Sequence, residues 1–111
     1  MKPTIPLSPK VLHILLALAQ EPMNGYRLGL HVEESTGGAI RLSPGTLYEN
    51  LHRLAQRGLI GELTDGGDGR TDGRGQRFYT LTGTGLEVLK AEVDRLGRDL
   101  ARARSIPALG F

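Results

Sequence analysis

The stretch "RLSPGTLYENLHRLAQRGLI", residues 41–60, constrains the fold more than any other part of the chain, because it carries both a helix start and a helix stop. Ser43 is an N-cap residue whose hydroxyl can accept a free N–H of the first turn. Pro44 suits the first helical position, where no hydrogen bond is lost. Leu47, Leu51 and Leu54 follow at spacings of four and three and define one apolar face. Gly58 stops the helix, and Leu59 can fold back onto its last turn. With the leucines turned inward, helical geometry puts Thr46, Asn50, Arg53 and Arg57 on one flank. Gly45, Glu49, His52 and Gln56 then point directly away from the core. Both outward sets are polar.

The leucine face needs something to pack against, and the preceding residues supply it. Ser8 and Pro9 open an earlier helix that runs to about Gln20, where Pro22 prevents continuation. Val11, Leu12, Ile14, Leu15, Leu16 and Leu18 cover nearly its whole circumference, which predicts a central helix. Asn24 can cap a second helix, "GYRLGLHVEES", stopping at Gly37–Gly38. Tyr26, Leu28, Leu30 and Val32 also fit a strand's alternation, but the cap, the acidic pair before two glycines and the short connection favour helix.

Beyond Gly58 the pattern changes. "LIGELT" and "RFYTL" are short β-compatible segments, and "DGGDGRTDGRGQ" between them holds five glycines and no apolar residue. This predicts an antiparallel hairpin with a long tip. Thr82 then caps a final helix in which Leu86, Leu89, Val93, Leu96 and Leu100 repeat at three, four, three and four, an a/d seam suited to a second copy of the chain. Gly97 is the one weak point in that helix.

Composition removes several classes of function. With no cysteine, the 111-residue chain can have no disulfide framework, thiolate metal site or cysteine nucleophile, and a cytoplasmic setting is expected. The longest apolar run, Val11 to Ala19, is too short to span a membrane. His13, His31 and His52 have no metal-ligand spacing. The motif "GGDGRTD" places its acid one residue late for a calcium-binding repeat and occurs once. No nucleophile-base pair or paired acids suggest an enzyme, and no cofactor is implied. The net charge is only +2, but 11 of 14 basic residues are arginine and the pI is about 9.3, which suits an anionic partner.

Three helices, the third sharply capped, followed by a hairpin with an arginine-bearing tip, describe a winged helix-turn-helix: a mainly α fold with a small antiparallel hairpin. In such a fold the third helix enters a DNA groove. Asn50, His52, Arg53 and Gln56 carry the donors and acceptors that read base edges, while Arg57 and the tip residues Arg70 and Arg74 suit phosphate or the minor groove. The N–H groups of Gly45 and Thr46, beside the Ser43 cap, favour a phosphate oxygen. Asp65, Asp68 and Asp72 nearly cancel Arg70, Arg74 and Arg77, which makes a merely solvated tip the rival reading there.

"VLHILLALAQEPMNGYRL", "LSPGTLYENLHRLAQRGLI" and "RFYTLTGTGLEVL" resemble the PadR family of bacterial transcriptional regulators, over roughly residues 8 to 96. The most specific part is Gly45 to Tyr48 followed by Leu51 to Leu54. The chain departs from the family pattern at Glu49, where proline is usual, and at Ala55, where an acid is usual.

The resemblance implies a winged-helix domain over residues 1–81 and a C-terminal dimerisation helix and tail over 82–111, as in the family's short subgroup. It implies a homodimer on double-stranded operator DNA, usually repressing until a small-molecule effector releases it. Residues and resemblance together give a DNA-binding set of Ser43, Gly45, Thr46, Tyr48, Asn50, His52, Arg53, Gln56, Arg57, Arg70, Arg74 and Arg77. Leu86, Leu89, Val93, Leu96 and Leu100 form the dimerisation set. The alternative is a winged-helix module that binds protein instead of DNA.

Overall fold

The computed structural model describes residues 5–64 and 77–111, so the Arg70 and Arg74 readings lie outside the described residues. The elements run α1 Pro9–Leu18, β1 Met23–Asn24, α2 Gly25–Ser35, α3 Pro44–Gln56, β2 Ile60–Thr64, β3 Arg77–Leu81 and α4 Gly83–Arg104, then a 3-10 turn over Pro107–Leu109. This is the expected winged helix-turn-helix order, and each helix begins on the cap its sequence offers. Ser8, Asn24, Ser43 and Thr82 accept the N–H of Val11, Arg27, Thr46 and Gly85 respectively. The cap at Asn24 decides between helix and strand for residues 25–35 in favour of helix. Ahead of it, α1 stops two residues sooner than Gln20, with Ala19 as its C-cap.

The stop of α3 is a complete Schellman motif. Gly58, at φ +76°, turns the chain; its N–H bonds to the Ala55 carbonyl at 3.0 Å, and the Leu59 N–H to that of Leu54 at 3.0 Å. Leu59 is thereby driven into the core, where it is fully buried.

The sheet has three strands, not two. β3 lies between β2 and β1, antiparallel to both, with Ile60 opposite Leu81 and Met23 opposite Tyr79. A two-residue strand has no periodicity to betray it, which is why the sequence predicts only the hairpin. Its effect is to tie the start of α2 to the wing.

Ile14, Leu15 and Leu18 of α1, Leu28 and Val32 of α2, and Leu47, Leu51 and Leu54 of α3 meet Leu59, Ile60 and Tyr79 in one core. Val11, Leu12 and Leu16 are only half-buried, so one side of the central helix is incompletely covered. Among the described residues no helix is long and apolar enough to cross a membrane.

The last helix runs unbroken through Gly97 for 22 residues. Its first turn is locked to the end of α3: the Thr82 hydroxyl donates to the Gly58 carbonyl at 2.6 Å, and the Thr82 N–H to that of Leu59 at 3.1 Å. Gly85 is required there, since any Cβ would meet the Leu59 carbonyl and lie 2.8 Å from a Leu81 methyl.

Further along, Val88 and Leu89 are buried in the chain's own core. Leu89 therefore does not share the exposed stripe of Leu86, Val93 and Leu100 in this fold, a correction to the simple seam: the a/d count cannot tell which chain covers a given leucine. Leu96 is half-buried.

One buried charge was not anticipated from the sequence. Glu92, on the inner side of α4, accepts the Leu7 N–H at 2.8 Å and both Nε and Nη2 of Arg95, at 2.7 and 3.1 Å, while Arg95 also reaches Asp99 at 3.1 Å. The pair thus holds the segment before α1 onto the last helix. The Arg95 guanidinium keeps the Glu92 carboxyl below its ordinary value of 4.5, against the opposing pull of burial. A carboxyl depressed on folding stabilises fully above its ordinary pKa and loses that stabilisation as pH falls through the lower folded value. We therefore expect the stability gap between the wild type and Glu92→Gln, measured by urea unfolding, to be constant at neutral pH and to close below about pH 4.5.

Candidate nucleic-acid interface

The outward side of α3 is what remains once Leu47, Leu51 and Leu54 are buried. Gly45, Glu49, His52 and Gln56 are exposed, as are Arg53 and Arg57 on the flank, while Thr46 and Asn50 are half-buried. This is the distribution the leucine spacing requires.

Several of these side chains have local partners. The Ser43 hydroxyl accepts the Thr46 N–H at 3.3 Å and donates to the Thr46 hydroxyl at 3.0 Å, so both residues are engaged in capping. The Asn50 amide donates to the Thr46 carbonyl at 2.9 Å, one turn back on its own helix. Glu49 and Arg53 form an ion pair at 3.5 Å between exposed groups. Such i,i+4 pairs contribute about 0.3–0.5 kcal/mol, little enough to be surrendered to a stronger anion.

The structure adds a cleft beside this face. Asn24, Gly25, Tyr26, Tyr48, Arg77 and Tyr79 enclose about 350 Å³ where the start of α2, the first turns of α3 and the base of the wing converge. Arg77 stands at its rim, paired with Glu62 at 3.1 Å, and burial pushes the Tyr79 phenol above its ordinary value. Tyr26 is 81% exposed. Tyr26 fits an apolar alternation with Leu28, Leu30 and Val32 in the sequence, which hid it; the available signal was the helical period, which puts Leu28 and Val32 on one buried face and leaves Tyr26, the second residue of the helix, off it. Tyr48, on α3 itself, is the residue of that helix that lines the cleft.

Tyr48 lies over Gly25 so closely that a Cβ at residue 25 would run into its phenol, within 2.7 Å of Cζ. A side-chain tip can yield where backbone cannot. Gly25→Ala is expected to cost about 1–3 kcal/mol by overpacking, and to cost nearly nothing in a Tyr48→Ala background, where the obstacle is gone. A double-mutant cycle by urea unfolding checks this; equal costs in both backgrounds would refute the contact.

The three-helix order, the antiparallel β2–β3 pair and the polar face of α3 define a winged helix-turn-helix transcriptional regulator. The chain belongs to the transcriptional regulator PadR-like family, whose sequence profile matches residues 14–91. It is 37% identical over 91 residues to the transcriptional regulator Rv3488 of Mycobacterium tuberculosis, covering 82% of this chain and 78% of that protein. It is 35% identical over 85 residues to an uncharacterised 37.1 kDa protein in transposon TN4556 of Streptomyces fradiae. That match takes in 77% of this chain but only 22% of the transposon protein's length. In fold it is similar to Bacillus subtilis PadR solved in complex with operator DNA, with a TM-score of 0.67 and 23% identity over 79% of this chain and 48% of that one.

Proposed function

We propose that the chain binds double-stranded operator DNA as a homodimer, in the cytoplasm, with one copy of α3 from each subunit in successive major grooves of a pseudo-palindromic site. The observation that carries this reading is the free polar side of α3, flanked by the aromatic cleft and backed by a tightly stopped, core-anchored helix. The operator DNA bound by the Bacillus subtilis protein of the same fold supports it.

In this reading His52, Arg53 and Gln56 face base edges. Ser43, Gly45 and Thr46 present the helix start to a phosphate, and Tyr48, Arg57 and Arg77 hold the backbone on either side. Asn50 reads a base only after giving up its bond to the Thr46 carbonyl. Arg70 and Arg74 would extend the grip from the wing tip. The chain acts as a repressor, released by a small molecule that enters the apolar space between α1 and the last helices of the dimer and binds one separation of the reading heads better than the other.

The test is the salt dependence of binding to an operator enriched from a random duplex pool. The affinity should fall linearly on a logarithmic plot, with a slope of about −0.9 for each phosphate neutralised. A flat response, with no duplex enriched and no generic DNA bound at low salt, refutes the DNA reading.

A further inference from the structure

The residues after α4 form a built hook. The Leu109 N–H bonds to the Ile106 carbonyl at 3.1 Å and the Gly110 N–H to that of Pro107 at 3.0 Å. Gly110, at φ +73°, reverses the chain, and the Arg104 guanidinium lies 5.7 Å from the centre of the Phe111 ring. Yet the hook covers none of its own apolar side chains well: Ile106, Leu109 and Phe111 are 47%, 53% and 72% exposed. At the other end of α4, about 33 Å away for 22 residues, lies a groove of about 350 Å³ lined by Leu18, Gln20, Glu21, Leu81, Gly83 and Leu86 among others. One chain cannot bring the two together.

The exposed stripe between them sets the geometry. Leu86 and Leu100 stand seven residues either side of Val93, so the stripe is symmetric about Val93. A two-fold axis through Val93 pairs two α4 helices antiparallel and sets Leu86 against the partner's Leu100. Carried to the ends of the helices, the same pairing sets Ala103, ten residues beyond Val93, against the partner's Gly83, ten residues before it, so the hook that follows α4 comes out beside the start of the partner's α4. Gly83 is itself in the lining of the groove, and Leu86 belongs to both groove and stripe, so the surface is continuous.

We infer that the hook of each subunit, residues 106–111, docks in the groove between the end of α1 and the start of α4 of a second copy of this chain. The inference rests on the homodimer proposed above and deepens it by assigning the hook a seat. It places each hook against the partner's Thr82 cap, which is bonded to the end of the partner's α3.

Gln20→Cys with Leu109→Cys in the otherwise cysteine-free full chain tests it, because a disulfide requires Cα atoms within about 7 Å and the two positions lie at opposite ends of α4. A covalent dimer on a non-reducing gel is expected on oxidation. In parallel, Ile106→Asp with Leu109→Asp should raise the dimer dissociation constant about tenfold or more, with thermal unfolding of the monomer unchanged. A wild type that is monomeric by light scattering at every concentration removes the homodimer reading, and this one with it. A wild-type dimer that neither crosslinks nor weakens removes the hook alone.

Discussion

Arg53→Ala is expected to abolish sequence-specific operator binding while leaving fold and chain association intact. Arg53 is exposed on the flank of α3, and among the described residues its fork is engaged only by the exposed carboxylate of Glu49 at 3.5 Å, so its loss removes no core contact there. A good bidentate contact to a base pair is worth about 1–3 kcal/mol, and a two-fold dimer loses it twice, or roughly 30-fold to 10⁴-fold in affinity. Fluorescence anisotropy on the enriched operator at fixed salt measures it, with thermal unfolding as the control. Glu49→Ala should move the other way, because it takes a carboxylate away from a polyanion and frees the guanidinium. Wild-type affinity in Arg53→Ala would mean that another side of the helix faces the DNA.

The second large effect separates two residues that the heptad count treats alike. Leu89→Ala should destabilise the folded chain by about 2–5 kcal/mol, since Leu89 is buried beside Val88 in the chain's own core and its truncation leaves a cavity. Val93→Asp, at a position 45% exposed, should leave monomer unfolding within about 0.5 kcal/mol and act on self-association. Urea unfolding of the dilute monomer and light scattering of the concentrated protein distinguish the two. If Leu89→Ala affected only association, the packing of α4 described here would be wrong.

What could be read in the residues was what local chemistry enforces. A hydroxyl or amide before a turn, a proline at the first helical position and a glycine that must take positive φ act over four or five residues. All four caps and the stop at Gly58 are accordingly where the sequence puts them. The leucine spacing of α3 fixed which side is buried and therefore which polar residues are left facing outward. The family resemblance rested on these same residues.

The rest depended on contacts between residues far apart in the chain. Strand β1 exists because Met23 and Asn24 find a free edge of β3, a partner more than fifty residues away. Leu89 and Val93 look equivalent in a repeat, and only the body beneath α4 makes one core and leaves the other open. A glutamate amid the charges of a long helix reads as solvated until Leu7 and Arg95 close over Glu92. Tyr26, Tyr48 and Arg77 come from three elements and form a cleft only where those elements converge. Sequence determined the ends and the inward faces of the elements, because short-range hydrogen bonding and periodicity decide both. Which faces stay covered, and which distant groups meet, was decided by tertiary packing, since burial belongs to neighbours that no local pattern specifies.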